Sequence, residues 1–168
     1  MYDSEIAGLL HDEHVRTLGQ LQRLENFLKR QGAGTPPDRA DASVQDLLRT
    51  VAAMAANEVE QHFAFEEEHL FPVLVDAGDS GMVEFLIEEH SLIRPLAEEA
   101  AATARRALDG EAFSAESWRR FHRGGLELCE RELFHIQKEE MGLLAAVGML
   151  VDPEADARLA AAYRNRAA

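Results

Sequence analysis

His62-Phe63-Ala64-Phe65-Glu66-Glu67-Glu68-His69-Leu70-Phe71-Pro72 is the stretch on which the reading of this chain turns. Before it, Val44, Leu48, Val51, Ala55 and Val59 recur at three-and-four spacing, and the same apolar stripe resumes at Leu70 and Leu74. That period is the signature of an amphipathic helix. Between the two halves of the stripe, His62 and Glu66 occupy positions that should face a core. Three other segments repeat the arrangement. The first carries Ile6, Leu10, Leu18, Leu21, Leu24 and Leu28, with His14 in the gap. The third carries Val83, Leu86, Ile93, Ala97, Ala101, Ala104 and Leu108, with His90 in the gap. The fourth carries Phe121, Gly125, Leu128, Leu143 and Ala146, interrupted by His135 and Glu139.

The breaks between these segments are rich in glycine, proline and aspartate: Gln31 to Asp38, Asp76 to Gly81, and Asp109-Gly110. Asp152-Pro153 reads as an N-cap followed by proline at the first helical position. Helices are therefore predicted at 4–30, 43–75, 80–108 and 114–148, with a short fifth at 153–165. The expected fold is all-α, an up-down-up-down four-helix bundle over residues 1–150. Residues 151–168 would form a C-terminal helix packing on the bundle or trailing it. No internal repeat or low-complexity segment is evident.

A buried imidazole or carboxylate is costly without a partner, and here each of four helices places at least one at a core position. Counting along the helices to the connecting turns, at about 1.5 Å per residue, brings the six residues to one level within roughly a turn. His62/Glu66 and His135/Glu139 are i, i+4 pairs, so each pair shares a helix face. One imidazole can bind a metal while the glutamate one turn away reaches a second. Four imidazoles and two carboxylates form a nitrogen and oxygen donor set suited to iron, and manganese or zinc would also accept it.

The chain has 168 residues, 46% hydrophobic and 29% charged, which fits one soluble domain with a sizeable core. Its net charge of −14 repels phosphate backbones and anionic lipids, so neither nucleic acid nor membrane is an expected partner. No segment approaches the roughly 18 uninterrupted apolar residues of a membrane span. The first ten residues carry no basic, cleavable leader pattern, and a cytoplasmic location is expected. One cysteine, Cys129, excludes an internal disulfide and any cysteine-based zinc site. It is expected in the core.

Asp12-Glu13-His14, His62 to Glu67 with Leu70-Phe71-Pro72, Glu89-His90, and His135-Ile136-Gln137-Lys138-Glu139-Glu140 together resemble the hemerythrin-like, or HHE cation-binding, family. The resemblance covers about residues 4–148. It implies two non-haem iron ions, oxo- or hydroxo-bridged, with Glu66 and Glu139 bridging and His14, His62, His90 and His135 as terminal ligands. It also implies oxygen, nitric oxide or peroxide as the small partner, with redox turnover, sensing of iron or oxygen, or iron storage and donation as the roles. Arg94 stands where oxygen-carrying hemerythrin has a second histidine on its third helix, and Glu140 offers the five-residue spacing of that protein's fourth. A four-histidine site is closer to the bacterial proteins linked to repair of iron centres. Open or water-filled coordination on both metals is the implied consequence.

The neighbouring polar residues carry smaller expectations. Glu67, Glu68 and Glu140 read as surface charges; His11, three residues before His14, could take its place but reads as a flanking residue. His69 reads as a packed histidine at the end of its stripe, a group supporting a ligand from outside, or one near an access channel. His122 should lie on the surface. Glu132 either orients His135 or faces solvent. Arg94 is a carboxylate partner, an anion-steering group or a solvated arginine, next to a Pro95 that should kink its helix. Tyr2, Trp118 and Tyr163 are expected far from the level of the six residues.

Overall fold

The computed structural model describes residues 3–166, without the side chains at positions 56 and 58–60; Tyr2 and the side chain of Val59 therefore lie outside the described residues. α1 is Glu5–Gln31. α2 runs over 42–76, as Ala42–Met54, two π-helical segments at Ala55–Phe63 and Glu66–Leu70, and a last α-helical turn at Phe71–Asp76. α3 is Ser80–Leu108 and continues through Pro95. α4 spans 115–150, as Ala115–Lys138, a π-helical Glu139–Leu143, and Leu144–Leu150. α5 is Pro153–Asn165. The all-α reading holds, and the helix ends agree with the sequence within one or two residues.

The ends form where side chains satisfy the first free amides. Ser4 accepts from the Ala7 amide, Asp41 from that of Ser43, and Asp152 from that of Ala155 ahead of Pro153. Ser114 and Ser117 cap α4 reciprocally. Gly32 closes α1 at φ 68°, a left-handed conformation that favours glycine. Gly125 serves closeness instead: a Cβ there would stand 2.8 Å from Leu28 Cδ1, where α4 crosses α1.

Each long helix packs on its neighbours in the order α1–α2–α3–α4–α1, and α5 lies along α1. The apolar interior falls into two clusters. One, with Leu21, Leu24, Val51, Phe63, Ile93, Trp118, Phe121 and Ile136, fills one end of the bundle. The other, with Ile6, Leu10, Phe65, Phe71, Leu86, Leu143 and Tyr163, fills the opposite end. Along α1 the clusters are divided by His14, along α3 by His90, and along α4 by Glu139. A polar layer thus crosses the middle of an otherwise apolar core. Among the described residues no helix is long and apolar enough to cross a membrane.

Candidate metal centre

The polar layer consists of His14, His62, Glu66, His90, His135 and Glu139, every one of them at most 1% exposed. They form two overlapping groups, His14/His62/Glu66/Glu139 and Glu66/His90/His135/Glu139, in each of which the donor atoms lie within 4.8 Å of one another. All six residues singled out from the stripe gaps are in these groups.

Each imidazole turns Nε2 inward. His14 Nε2 is 3.1 Å from Glu139 Oε2, and His135 Nε2 is 3.0 Å from Glu139 Oε1. His62 Nε2 is 3.5 Å from Glu66 Oε1, and His90 Nε2 is 3.3 Å from Glu66 Oε2. Each glutamate therefore offers one oxygen to either half of the site, the disposition of a carboxylate that spans two cations. All three π-helical segments carry these residues: His62 lies in the first, Glu66 opens the second and Glu139 the third. The Glu66 carbonyl accepts from the Phe71 amide and that of Glu139 from the Leu144 amide, both five residues on. Such widened turns re-aim the side chains they carry and recur at functional sites. The i, i+4 reading placed the residues on the right faces but assumed a regular α-helix throughout.

Every Nδ1 points outward to a carboxylate. His14 Nδ1 donates to Glu140 at 2.6 Å, His62 to Glu13 at 3.1 Å, His90 to Glu67 at 2.8 Å and His135 to Glu89 at 3.1 Å. The four bonds form a closed ring around the bundle, each running to a carboxylate on an adjacent helix. Each of these carboxylates directly precedes or follows an inward residue of its own helix. Glu67 and Glu140 are thus not the surface charges the sequence suggested; bonding to a ligand imidazole holds them half-buried. The signal was adjacency: Glu13, Glu67, Glu89 and Glu140 each stand beside an inward His or Glu.

A second group holds each outer carboxylate. Arg94 reaches Glu67 at 3.0 Å, His11 reaches Glu140 at 2.9 Å, and Lys138 pairs with Glu89. Glu13 has two holders, the Tyr163 hydroxyl at 2.6 Å and the Arg166 guanidinium at 2.6 Å. Tyr163 therefore corrects the expectation that it lies far from the site, because α5 folds back along α1 and brings it there. Trp118 does lie apart, donating to the Gly32 carbonyl. His69 is exposed beside Phe65 rather than packed. His122 is half-buried and bonds the Leu28 carbonyl, so it is not a free surface residue. Glu132 is buried at 1% exposure, and its charge helps to raise the neighbouring His135. Cys129 is buried, and burial first of all pushes its thiol up to about 12.

The electrostatics show what the inner layer lacks. None of the four oxygens of Glu66 and Glu139 receives a hydrogen bond, although imidazole nitrogens face them. Burial, and then the charge of Glu139, push Glu66 up to about 8. Glu139 goes the other way: burial opposes its charge, but His135, His14 and His62 hold it well below the carboxylate range. Burial would depress His135 too, yet Glu139 and Glu89 drive it up to about 11, while burial and the charge of His135 press His90 down to about 4. Two buried carboxylates facing each other cannot both ionise without a cation. Outward Nδ1–H bonds to carboxylates belong to the tautomer whose inward Nε2 can bind a metal, and His90 Nε2 and His135 Nε2 converge to 3.2 Å of each other. Orphaned acceptors and inward lone pairs together fit metal ions.

The fold and this layer define a helical bundle with a buried histidine and carboxylate cluster placed for metal binding. The family model for the hemerythrin HHE cation-binding domain matches residues 5–147, so the chain belongs to that family. No curated protein matches it.

Proposed function

We propose that this chain is a di-iron protein that binds oxygen, nitric oxide or peroxide, with His14 and His62 holding one ion, His90 and His135 the other, and Glu66 and Glu139 bridging. The observation that carries this reading is the sharing of Glu66 and Glu139 between two otherwise separate imidazole pairs. Two nitrogens and two shared carboxylates give each ion four protein donors, fewer than iron commonly takes, and leave room for a small ligand. Iron in this setting would supply reversible electron transfer to that ligand. The protein's own part is to fix the donors and keep bulk water away. Phe63 stacks on the His90 ring at 3.9 Å and stands edge-on to His135 at 5.6 Å, and Phe71 lies near-parallel to the His90 ring at 5.7 Å. The four imidazoles, with Arg94 directed to Glu67, favour the repair-type members of the family over the oxygen carriers.

The test is metal analysis of the purified chain together with optical spectra taken anaerobically and in air. Two irons per chain, with near-ultraviolet ferric absorption that changes on reduction, are expected. Consumption of peroxide or nitric oxide that disappears in Glu66→Ala supports turnover. A metal-free preparation of full stability overturns the reading.

Attachment of α5 to the cluster through Glu13 favours a second reading, a non-catalytic iron or oxygen sensor. In that case metal loss leaves buried donors uncompensated and loosens the C-terminal helix. Chelator-triggered unfolding with no turnover of any small ligand separates this reading from the first.

A further inference from the structure

α5 contributes no donor atom to the inner layer, yet it supplies both groups that hold Glu13 from outside. Tyr163 Oη donates to Glu13 Oε2 at 2.6 Å, the oxygen that also accepts from His62 Nδ1 at 3.1 Å. Arg166 donates to the other oxygen at 2.6 Å and lies 3.6 Å over the Tyr163 ring. Tyr163 is 8% exposed, and its ring meets Phe65 edge-on at 5.3 Å. The helix is seated independently of these bonds. Asp156 accepts from Ser4 Oγ at 2.5 Å, the Glu5 amide at 2.8 Å and the Ile6 amide at 3.2 Å, and Arg164 pairs with Glu5. Packing alone therefore does not require a hydroxyl at position 163, since phenylalanine would fill the same space.

The geometry points to Tyr163 and Arg166 as positioning residues for the metal ion of the His14/His62 half. They fix the Glu13 carboxylate, which fixes the rotation of the His62 ring and so keeps its Nε2 on the ion. The outer carboxylates of the other half are held from the bundle itself, Glu89 by Lys138 and Glu67 by Arg94. The C-terminal helix thus sets the retention of one ion and not of the other. This inference rests on the two-metal reading above.

The experiment titrates the metal-free full chain with ferrous iron under anaerobic conditions against a competing chromophoric chelator, and reads two stepwise constants. In Tyr163→Phe and in Arg166→Gln one step should weaken roughly tenfold to a hundredfold, the range for losing an outer partner of a ligand histidine. The other step should stay within about twofold. Arg164→Gln, which removes an α5 contact that does not touch Glu13, should leave both steps unchanged. Glu13→Ala should weaken the same step, and adding Tyr163→Phe to it should change nothing more. A helix that merely stabilises the fold would instead act additively with Glu13→Ala.

Unchanged constants in Tyr163→Phe, equal weakening of both steps, or additivity with Glu13→Ala overturns the inference. If Tyr163→Phe melts well below the metal-free wild type, the constants of Arg166→Gln decide alone. A wild type that binds no iron overturns the parent reading, an outcome distinct from any of these.

Discussion

The two halves of the buried layer have the same inner plan and different surroundings. On one side α1 offers Glu13-His14 and α2 offers His62 with Glu66-Glu67; on the other α3 offers Glu89-His90 and α4 offers His135 with Glu139-Glu140. The pairs are related as by a twofold axis, although the chain shows no internal repeat in its apolar stripes. Symmetry ends at the outer carboxylates. Glu13, behind His62, is 11% exposed and closed over by Tyr163 and Arg166. Glu89, behind His135, borders a groove of about 750 Å³ between α3 and α4, along with Ile93, Phe134 and Lys138, and Lys138 is 40% exposed. The chemistry of the donors is thus set by the inner layer, whereas exchange with solvent is set by what lies behind it.

The largest effect expected is the one that ignores the difference between halves. Glu139 faces all four imidazoles, so on the proposed two-metal reading Glu139→Ala should abolish the metal content, measured by elemental analysis after gel filtration. An ion retained in that variant would show that the halves bind independently. Next in size are His62→Ala and His135→Ala, each of which should leave about one ion per chain. Equal loss of both ions in either variant would mean that the centre assembles only as a unit.

The inner plan was legible because it interrupts a periodic signal. His14, His62, Glu66, His90, His135 and Glu139 stand where a 3.6-residue stripe calls for apolar side chains, and such positions stand out in one sequence. The outer ring was not legible from hydropathy, because Glu67 and Glu140 fall among solvent-facing glutamates and hydropathy does not separate a carboxylate that accepts from an imidazole from one that meets water; only adjacency to an inward residue marks it. The π-helical turns at Glu66 and Glu139 were equally hidden, since an inserted residue leaves composition unchanged. Tyr163 was misplaced for another reason. Counting residues to the turns gives a level for helices in the bundle, but α5 leaves α4 at Val151 and returns along α1, a path decided by tertiary contacts of Asp156 and Arg164. Arg94 was left open between three roles, and its 3.0 Å bond to Glu67 selects carboxylate pairing.

Removing an outer carboxylate should also distinguish the halves in metal-free protein. Glu13→Gln leaves the Arg166 guanidinium, only 15% exposed, without its charge partner, and should cost about 1–3 kcal/mol in urea unfolding. Glu89→Gln affects a pair nearer the surface, where Lys138 turns to water, and should cost less than about 1 kcal/mol. Equal costs would mean that the greater burial of Glu13 carries no energetic consequence.

The smallest effect concerns alkaline pH and isolates α5. Burial, and then the Glu13 carboxylate as hydrogen-bond acceptor and as charge, push the Tyr163 phenol up to about 12 from its usual value near 10. A group whose folded pKa is raised stabilises the native state fully below its unfolded pKa and loses that contribution as pH climbs through the folded value. The stability advantage of wild type over Tyr163→Phe should therefore be constant up to about pH 10 and decline between about pH 10 and 12. Its size is bounded at about 2–3 kcal/mol by the shift. Urea unfolding of both metal-free proteins at several pH values provides the measurement, with the variant correcting for every other group that titrates in that range. An advantage that held level to pH 12 would mean that the folded phenol loses its proton as readily as the unfolded one, unperturbed by Glu13, and that the closed side of the layer owes its closure to packing by Phe65 and Arg166 alone.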